Sequence, residues 1–588
     1  MSASLSNGSA TTVGAHASPL TGFPAQPIVL SRTSYEFHES LEPFSAFIRR
    51  EWKAAALFGG FFVVAGLAVI FSVDPAFFYP RLQTDPLRYL MKAHAFIETG
   101  STTVRAAVNI PPFLYAAMPG VLRAPILMAF RDFDDQWRAI QATNVIFAAI
   151  VAMMSAYILS WSQPEKRHWM TIALAFTFAA IAPWWVANIL YPLADAPYAA
   201  CTLGALILSR KILTSQKPLR SQLHLILLFA ILFVLAFLIR FSAPVILVFA
   251  ATLAHGRWSS ANLSVRAKLA VVGVPVVAVA ALVFFNREAI FGRYLNDPMW
   301  FLRKADDGLL VINIFASAIP SQIIPAFNLA YSRPPVILPM NMAFASTKRD
   351  LVWAIVGVAV SAVVIFGAWK SRRRFLPELL YVLAPLPLLA PIVPSVARYL
   401  GSYQPFYWIF FCAGMSAILA PLAARIHSPR RTSIVLTTAF GLAVLALGAM
   451  RLLKVVGTAN PSQAISVMRA PEYFAGVAGP FRGLREFIET LPPDRTLLIG
   501  AGATTGRWMV ISGRQYYVPD ANLASVLKLK DVYLVAECGT LEVCRDFDSW
   551  IRRLEEGLST RGRFSFYPVF SRRTTQAQVA VFRVTASP

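Results

Sequence analysis

Apolar residues in this chain fall into roughly eleven runs near membrane-spanning length, and the segments between the runs alternate in charge. The runs are Trp52 to Val73, Ile140 to Trp161, Met170 to Leu190, Ala196 to Leu208, Leu223 to Leu238, Val245 to Leu253, Leu269 to Phe285, Leu351 to Trp369, Leu376 to Val393, Tyr403 to Ala423 and Ile434 to Met450. Each predicts a helix, because a backbone crossing hydrocarbon must satisfy its own hydrogen bonds and about 20 apolar residues suffice to cross. Ala196 to Leu208 and Val245 to Leu253 are short for that, so their ends borrow flanking residues or are irregular. Phe113 to Phe130 is also apolar, but counting it as a span would place every later Arg-rich connection outside. It reads as an interfacial or half-buried helix.

The charge pattern orients the spans. Gln163 to Trp169, Ser209 to Gln222, His255 to Lys268, Lys370 to Arg374 and Arg425 to Arg431 are short and rich in Lys and Arg, which predicts a cytoplasmic position. An odd number of spans puts the termini on opposite sides. Residues 1–51 are rich in Ser, Ala and Pro and read as a disordered cytoplasmic tail, with Arg49, Arg50 and Lys53 anchoring the first span from inside. From residue 458 the composition turns soluble. There, Thr496 to Ile499 and Val532 to Ala536 read as buried strands, Phe547 to Leu558 as an amphipathic helix, and Phe564 to Phe570 with Val579 to Val584 as a hairpin. The expected fold is an α-helical polytopic membrane protein, with a transmembrane domain over 52–457, outer loops at 74–136 and 286–349, and a small extracytoplasmic α/β domain over 458–588.

Composition excludes a soluble enzyme, since 57% of residues are hydrophobic and only 14% charged. A net charge of +24 would suggest nucleic acid on a soluble face. Here it is concentrated in short connections, where it sets orientation and meets anionic lipid, so nucleic acid is excluded as a partner. Of four cysteines, Cys201 and Cys412 fall inside spans. Cys538 and Cys544 follow a predicted strand, as a disulfide in an oxidising compartment or as two thiols, with no neighbours to complete a zinc set. Gly500, Gly502 and Gly506 are spaced too widely for a dinucleotide fingerprint and read as a tight strand-to-helix turn.

Candidate chemistry lies on the predicted outer side. Asp85 occupies an N-cap position with Pro86 at the first helical position and Gly100 past the end, so it is either a cap or a functional carboxylate fixed at a helix start. Asp195 is the sole charge in a long apolar neighbourhood, where ionisable groups tend to face cavities or ligands. Arg240 and Arg398 end otherwise apolar spans, either snorkelling or holding a phosphate at membrane depth. The loop 286–349 adds Arg293, Arg303, Lys304, Asp306, Asp307 and Arg333 among aromatics and prolines, as a lid or acceptor-binding region.

The motifs in this order resemble the GT-C class of integral membrane glycosyltransferases, particularly the bacterial branch that includes the lipid A aminoarabinose transferase and is related to protein O-mannosyltransferases. Asp85, Tyr89, Ala93, Gly100 and Pro111-Pro112-Phe113-Leu114-Tyr115 match the pattern of its first outer loop. Tyr191-Pro192 leading to Asp195 and Pro197, Arg240 before Phe241 and Pro244, and Arg398-Tyr399 support the match. The resemblance implies a sugar donor carried on a polyprenyl phosphate, an acceptor glycan, lipid or protein at the outer face, and a place in the bacterial inner membrane. It implies catalytic roles for Asp85 and Asp195, donor-phosphate binding by Arg240, Arg398 and Arg105, and substrate contacts from Tyr89, Tyr115 and Tyr399. Relatives often carry a Lys directly before the Pro-Pro pair, where this chain has Asn109 and Ile110, and Arg105 is the replacement nearest in sequence. Metal use varies in the class, which leaves a divalent cation open. The other functional classes are a transporter or lipid flippase and a non-catalytic envelope-assembly scaffold. Against transport stand the lack of an internal repeat and the scarcity of ionisable residues within the spans.

Overall fold

The computed structural model describes residues 42–82, 84–99, 117–162, 168–190, 194–215, 218–240, 243–260, 314–324, 348–385, 400–424, 470–500, 503–513, 515–516, 523–538, 549, 551–552, 556 and 564–586. The predicted spans Leu269 to Phe285 and Ile434 to Met450, and nearly all of the loop 286–349, lie outside them.

The described chain begins earlier than the expected tail allows. Phe44–Arg50 forms helix α1, because Phe44, Phe47 and Ile48 share one face. Phe47 is fully buried against the ring of Tyr157 at 5.3 Å, and the Tyr157 hydroxyl donates to the Glu42 carbonyl at 2.7 Å. Residues 42–51 are therefore ordered. Helix α2 (Trp52–Ser72) follows, with a π-helical stretch at Ala55–Gly59, and exposes Leu57, Phe61, Val64 and Phe71 along its flank. Such a flank suits lipid and is costly in water.

Helix α3 (Thr84–Thr99) and helix α4 (Ala117–Ala129) pack together before the long α5 (Phe133–Ser160). Gly120 permits that packing, since a Cβ there would sit 2.9 Å from the Tyr89 carbonyl oxygen. Helix α4 buries Arg123, Ala124 and Leu127 and exposes Leu122 and Met128, the two-faced character expected of a half-buried helix. The run Met170 to Leu190 is not one helix. It breaks at extended Ala182 into α6 (Trp169–Ile181) and α7 (Pro183–Leu190), because Pro183 disfavours helical backbone at the residue before it.

Helix α8 (Asp195–Thr214) has 20 residues, longer than the apolar run that predicted it. It absorbs Ser209 and Arg210, which had been read as cytoplasmic connection. Helices α9 (Leu223–Ile239), α10 (Val245–Ser260), α11 (Ile314–Ile323), α12 (Lys348–Ser371), α13 (Leu376–Leu383) and α14 (Gln404–Ala424) complete the bundle among the described residues. Arg210 is buried in an ion pair with Glu378 of α13, its guanidinium 4.3 Å from the Trp161 ring centroid. Arg374 donates to the Trp161 carbonyl at 3.2 Å. The pair lies near the C-terminal end of α8 and at the start of α13. Helices α12 and α14 meet backbone to backbone, because a Cβ on Gly367 would collide with the Phe410 carbonyl and one on Gly414 with the Val363 carbonyl.

Among the described residues, Trp52–Ser72, Phe133–Ser160 and Arg220–Ile239 are long and apolar enough to cross a membrane, with shorter apolar helices at Trp169–Ile181, Val245–Ala254 and Ile355–Ser371.

The C-terminal part is a helix, α15 (Ala470–Thr490), and a mixed five-stranded sheet crossed by α16 (Ala503–Ser512). The strands β1 (Thr496–Ile499), β2 (Gln515–Tyr516), β3 (Asp531–Cys538), β4 (Phe564–Arg573) and β5 (Gln578–Ala586) lie in the order β2-β1-β3-β5-β4. β1 runs parallel to β2 and β3, and β5 antiparallel to β3 and β4. The β4–β5 register shifts between Pro568 and Phe570, on an edge strand where a residue without an N–H is tolerated. The predicted strands and hairpin are present, and the helix predicted over Phe547 to Leu558 falls mostly outside the described residues.

This module does not stand apart from the first loop. Phe77 meets Phe474 at 4.5 Å and Tyr79 meets Trp508 at 6.0 Å, within one buried cluster that also holds Leu87 and Leu90 of α3, Phe481 and Ile488 of α15, and Val579 and Val581 of β5. Arg485 of α15 ties the same surfaces, donating to the Tyr79 hydroxyl at 2.9 Å and pairing with Asp132, Asp134 and Glu489. Burial lowers the Arg485 pKa, but Tyr79, Glu489 and Asp132 outweigh it and hold the net value above the ordinary one. Burial, with the Asp134 charge, pushes the Tyr79 phenol well above its ordinary value, so it stays a hydrogen-bond donor.

Candidate functional site

Two of the sequence-predicted site residues come together. Asp195 is the first residue of α8, the cap position being Ala194. Its carboxylate is buried and pairs with the Arg240 guanidinium. Arg240 reaches it because α9 ends at Ile239. Arg240 is extended (φ −149°, ψ 133°), and its N–H still donates to the Ala236 carbonyl at 2.8 Å. The chain turns through Ala243 and Pro244 into α10, so the guanidinium projects sideways towards the start of α8, 5.6 Å from the Tyr198 ring centroid. The side chain of Arg240 keeps 15% of its exposure and that of Asp195 7%, so the pair is nearly enclosed yet open at the cation.

Buried polar groups surround this end of the bundle. Asn188 and Gln141 are buried, Gln141 donating to the Leu190 carbonyl at 2.9 Å, and Trp185 donates to Gln404 at 3.2 Å. Tyr198, Tyr381, Tyr403 and Tyr407 are all buried, with the Tyr381 and Tyr403 rings 4.6 Å apart. Sequence reasoning missed this tyrosine group. The signal for it was a set of hydroxyls inside otherwise apolar runs, at Tyr198-Ala199-Ala200 and Tyr403-Gln404-Pro405-Phe406-Tyr407.

Asp85 lies in the first turn of α3, one position inside the helix start at Thr84 instead of at the cap; its side chain is outside the described residues. An acidic residue there still faces the positive end of the helix dipole. Tyr89, expected to touch substrate, is buried beside α4. Lys92 and Arg123 are buried near it, Arg123 donating to Asn144 at 2.8 Å; neither had been singled out from the sequence. Arg105, Tyr115, Arg398, Tyr399 and Cys544 lie outside the described residues, as does the side chain of Cys538. Among the described residues no group of three His, Cys, Asp or Glu side chains converges to hold a metal ion.

No protein-family model matches the chain, and no curated protein matches it. Among solved structures, the fold is similar to that of the Archaeoglobus fulgidus oligosaccharyltransferase in complex with zinc and sulfate, at 13% identity and a TM-score of 0.43, over 86% of this chain and 72% of that one. It is also similar to ArnT from Cupriavidus metallidurans in the apo state, at 12% identity and a TM-score of 0.41, over 88% of this chain and 97% of that one. With ArnT bound to undecaprenyl phosphate the identity is 16% and the TM-score 0.41, over the same shares of 88% and 97%.

Proposed function

We propose that the chain moves a sugar from a polyprenyl-phosphate-linked donor to an acceptor glycan, lipid or protein at the outer face of the cytoplasmic membrane. The observation that carries this reading is the meeting of Asp195 and Arg240 at the end of α8 and α9 that the charge pattern places outside. A carboxylate and a guanidinium on adjacent helix ends match the two charges of glycosyl transfer. As the bond from the anomeric carbon to the phosphate oxygen breaks, negative charge grows on the phosphate and positive charge on the sugar ring. Arg240 takes the first as a charge-assisted hydrogen bond, and Asp195 faces the second. A phosphate on a lipid stays at membrane depth, and the nearly enclosed Arg240 keeps a part of its cation open to it. Asp85, at the start of α3, is assigned the acceptor hydroxyl proton, which a carboxylate can take as that oxygen forms the new bond. Arg398 and Arg105 are assigned to the donor phosphate with Arg240, and Tyr115 and Tyr399 to substrate contacts. A divalent cation stays open for this site.

The test is glycan and lipid mass spectrometry on membranes carrying the intact chain, Asp85→Asn, Asp195→Asn, Arg240→Ala or no copy, at matched protein level. The transferase reading expects one sugar-sized mass increment to vanish in all four altered strains while the polyprenyl-phosphate sugar accumulates. Increments that survive all three substitutions but not deletion would move the scaffold reading ahead. Transport has one observation in its favour, the buried Arg210–Glu378 pair, and would show as substrate movement with no change in glycan mass.

A further inference from the structure

Arg507 joins two parts of the chain far apart in sequence. It lies on α16 and is buried, with only 3% of its side chain exposed. One nitrogen pairs with Glu537 of β3, and the other Glu537 oxygen accepts from the Trp508 indole at 2.9 Å. Its Nε donates at 3.1 Å to the carbonyl of Leu82, 425 positions earlier. Leu82 is itself fully buried, at the joint between the 3-10 turn Pro75–Arg81 and α3, and its backbone (φ −73°, ψ 84°) is not helical. The residue four positions on, whose N–H a helix would offer to this carbonyl, is Pro86, which has none. An acceptor left bare in a buried joint is costly, and Arg507 supplies the missing donor.

The surrounding packing makes the contact directional. Trp508, the neighbour of Arg507, stands edge-on to Tyr79 in the same turn, and α16 packs against α3. Glu537 holds the guanidinium plane from the sheet side, so the fork points at one carbonyl. The C-terminal module thereby holds the Leu82 carbonyl, two residues before α3 begins at Thr84 and three before Asp85.

We propose that Arg507, oriented by Glu537, is a positioning residue that sets the start of α3 and with it the place of Asp85 in the transferase site. The proposal rests on the transferase reading above for its catalytic consequence, and on the Leu82 contact for its structural one. It makes the C-terminal module part of the catalytic apparatus, acting through α3 without touching substrate.

The test uses the full chain in lipid nanodiscs with Arg507→Met, Arg507→Lys and Glu537→Gln. Three readouts are taken: hydrogen exchange of amides 84–99, binding of undecaprenyl phosphate by native mass spectrometry, and the glycan increment in cells. Arg507→Met is expected to speed exchange over 84–99 by tenfold or more. The β4–β5 hairpin should keep its protection, undecaprenyl phosphate binding should stay within about twofold, and the product should fall about ten- to a hundredfold. Arg507→Lys should rescue little, since an ammonium cannot span both the carbonyl and Glu537. Should Arg507→Met lose the hairpin's protection, Glu537→Gln decides, because it keeps the size and one of the two acceptor oxygens; it should give a smaller change of the same kind. Unchanged exchange over 84–99, or raised exchange with full product, would overturn the proposal. Asp85→Asn is run beside them: product from that variant removes the transferase reading, while the exchange data judge the Arg507–Leu82 contact by themselves.

Discussion

Removing Glu378 should be among the most damaging single changes inside the helix bundle. In Glu378→Ala, Arg210 stays buried against the Trp161 ring, and Arg374, held at the Trp161 carbonyl, adds a like charge. Both members of the pair are enclosed, with 9% and 1% of their side chains exposed, so water cannot screen the loss. Breaking such a pair from one side costs about 3–5 kcal/mol. The cation–π contact with Trp161 is present before and after, so it does not offset the loss. Arg210→Met should cost less than Glu378→Ala, since a lone carboxylate can take up a proton and Arg374 is still nearby. The double change Arg210→Met/Glu378→Leu removes both charges and should return within about 1 kcal/mol of the parent. Reversible SDS unfolding of the parent, Arg210→Met, Glu378→Leu and the double change, followed by tryptophan fluorescence, gives the cycle, with Glu378→Ala run beside them. An ordinary hydrogen bond between membrane helices is worth only about 0.6 kcal/mol. A coupling energy below about 1 kcal/mol would therefore show that the pair behaves as a neutral contact, and the argument from burial would fail.

Other expectations follow from packing and charge. Gly367→Ala pushes a methyl group into the Phe410 carbonyl and must separate α12 from α14, so we expect a loss of about 1–3 kcal/mol in the same unfolding assay, against little change for Gly60→Ala, which meets open space. The docked surface at Arg485 should weaken in acid. Burial raises the Asp132 pKa, but the hydrogen bond and charge of Arg485, with the Asp134 and Asp135 N–H groups, outweigh that and leave it lowered. A lowered folded pKa gives stability that is present above the unfolded value near 4 and disappears as pH falls through the folded one. Exchange protection of α15 should therefore drop below about pH 4 in the parent and less steeply in Asp132→Asn; parallel acid profiles would contradict the assignment.

Much of the helical framework was legible because apolar runs of the right length have one stable solution in hydrocarbon, as in α2, α5 and α9. What the runs concealed was set by partners distant in sequence. The α8 run seemed to stop at Leu208 because Arg210 is charged, and the pairing with Glu378, 168 positions later, makes its burial tolerable. The break at Pro183 was readable in principle, since a proline inside an apolar run leaves the preceding residue extended. Within the site, Asp195 and Arg240 were each conspicuous as lone charges, but their pairing depends on how α8 and α9 pack, which no local spacing encodes. The buried tyrosines escaped notice because single tyrosines are absorbed into long apolar runs whose neighbours are Ala, Phe, Leu and Trp.

The core shared by the first loop and the last strands has a consequence for biosynthesis. Leu82 emerges early, yet its partner Arg507 is 425 residues behind it. At ribosomal rates of about 5–20 residues per second, the α3 region waits on the order of tens of seconds for the surface that completes it. During that interval Phe77, Leu87 and Leu90 lack their eventual cover, so a prematurely terminated chain would present that apolar surface to quality-control proteases even with its membrane helices inserted.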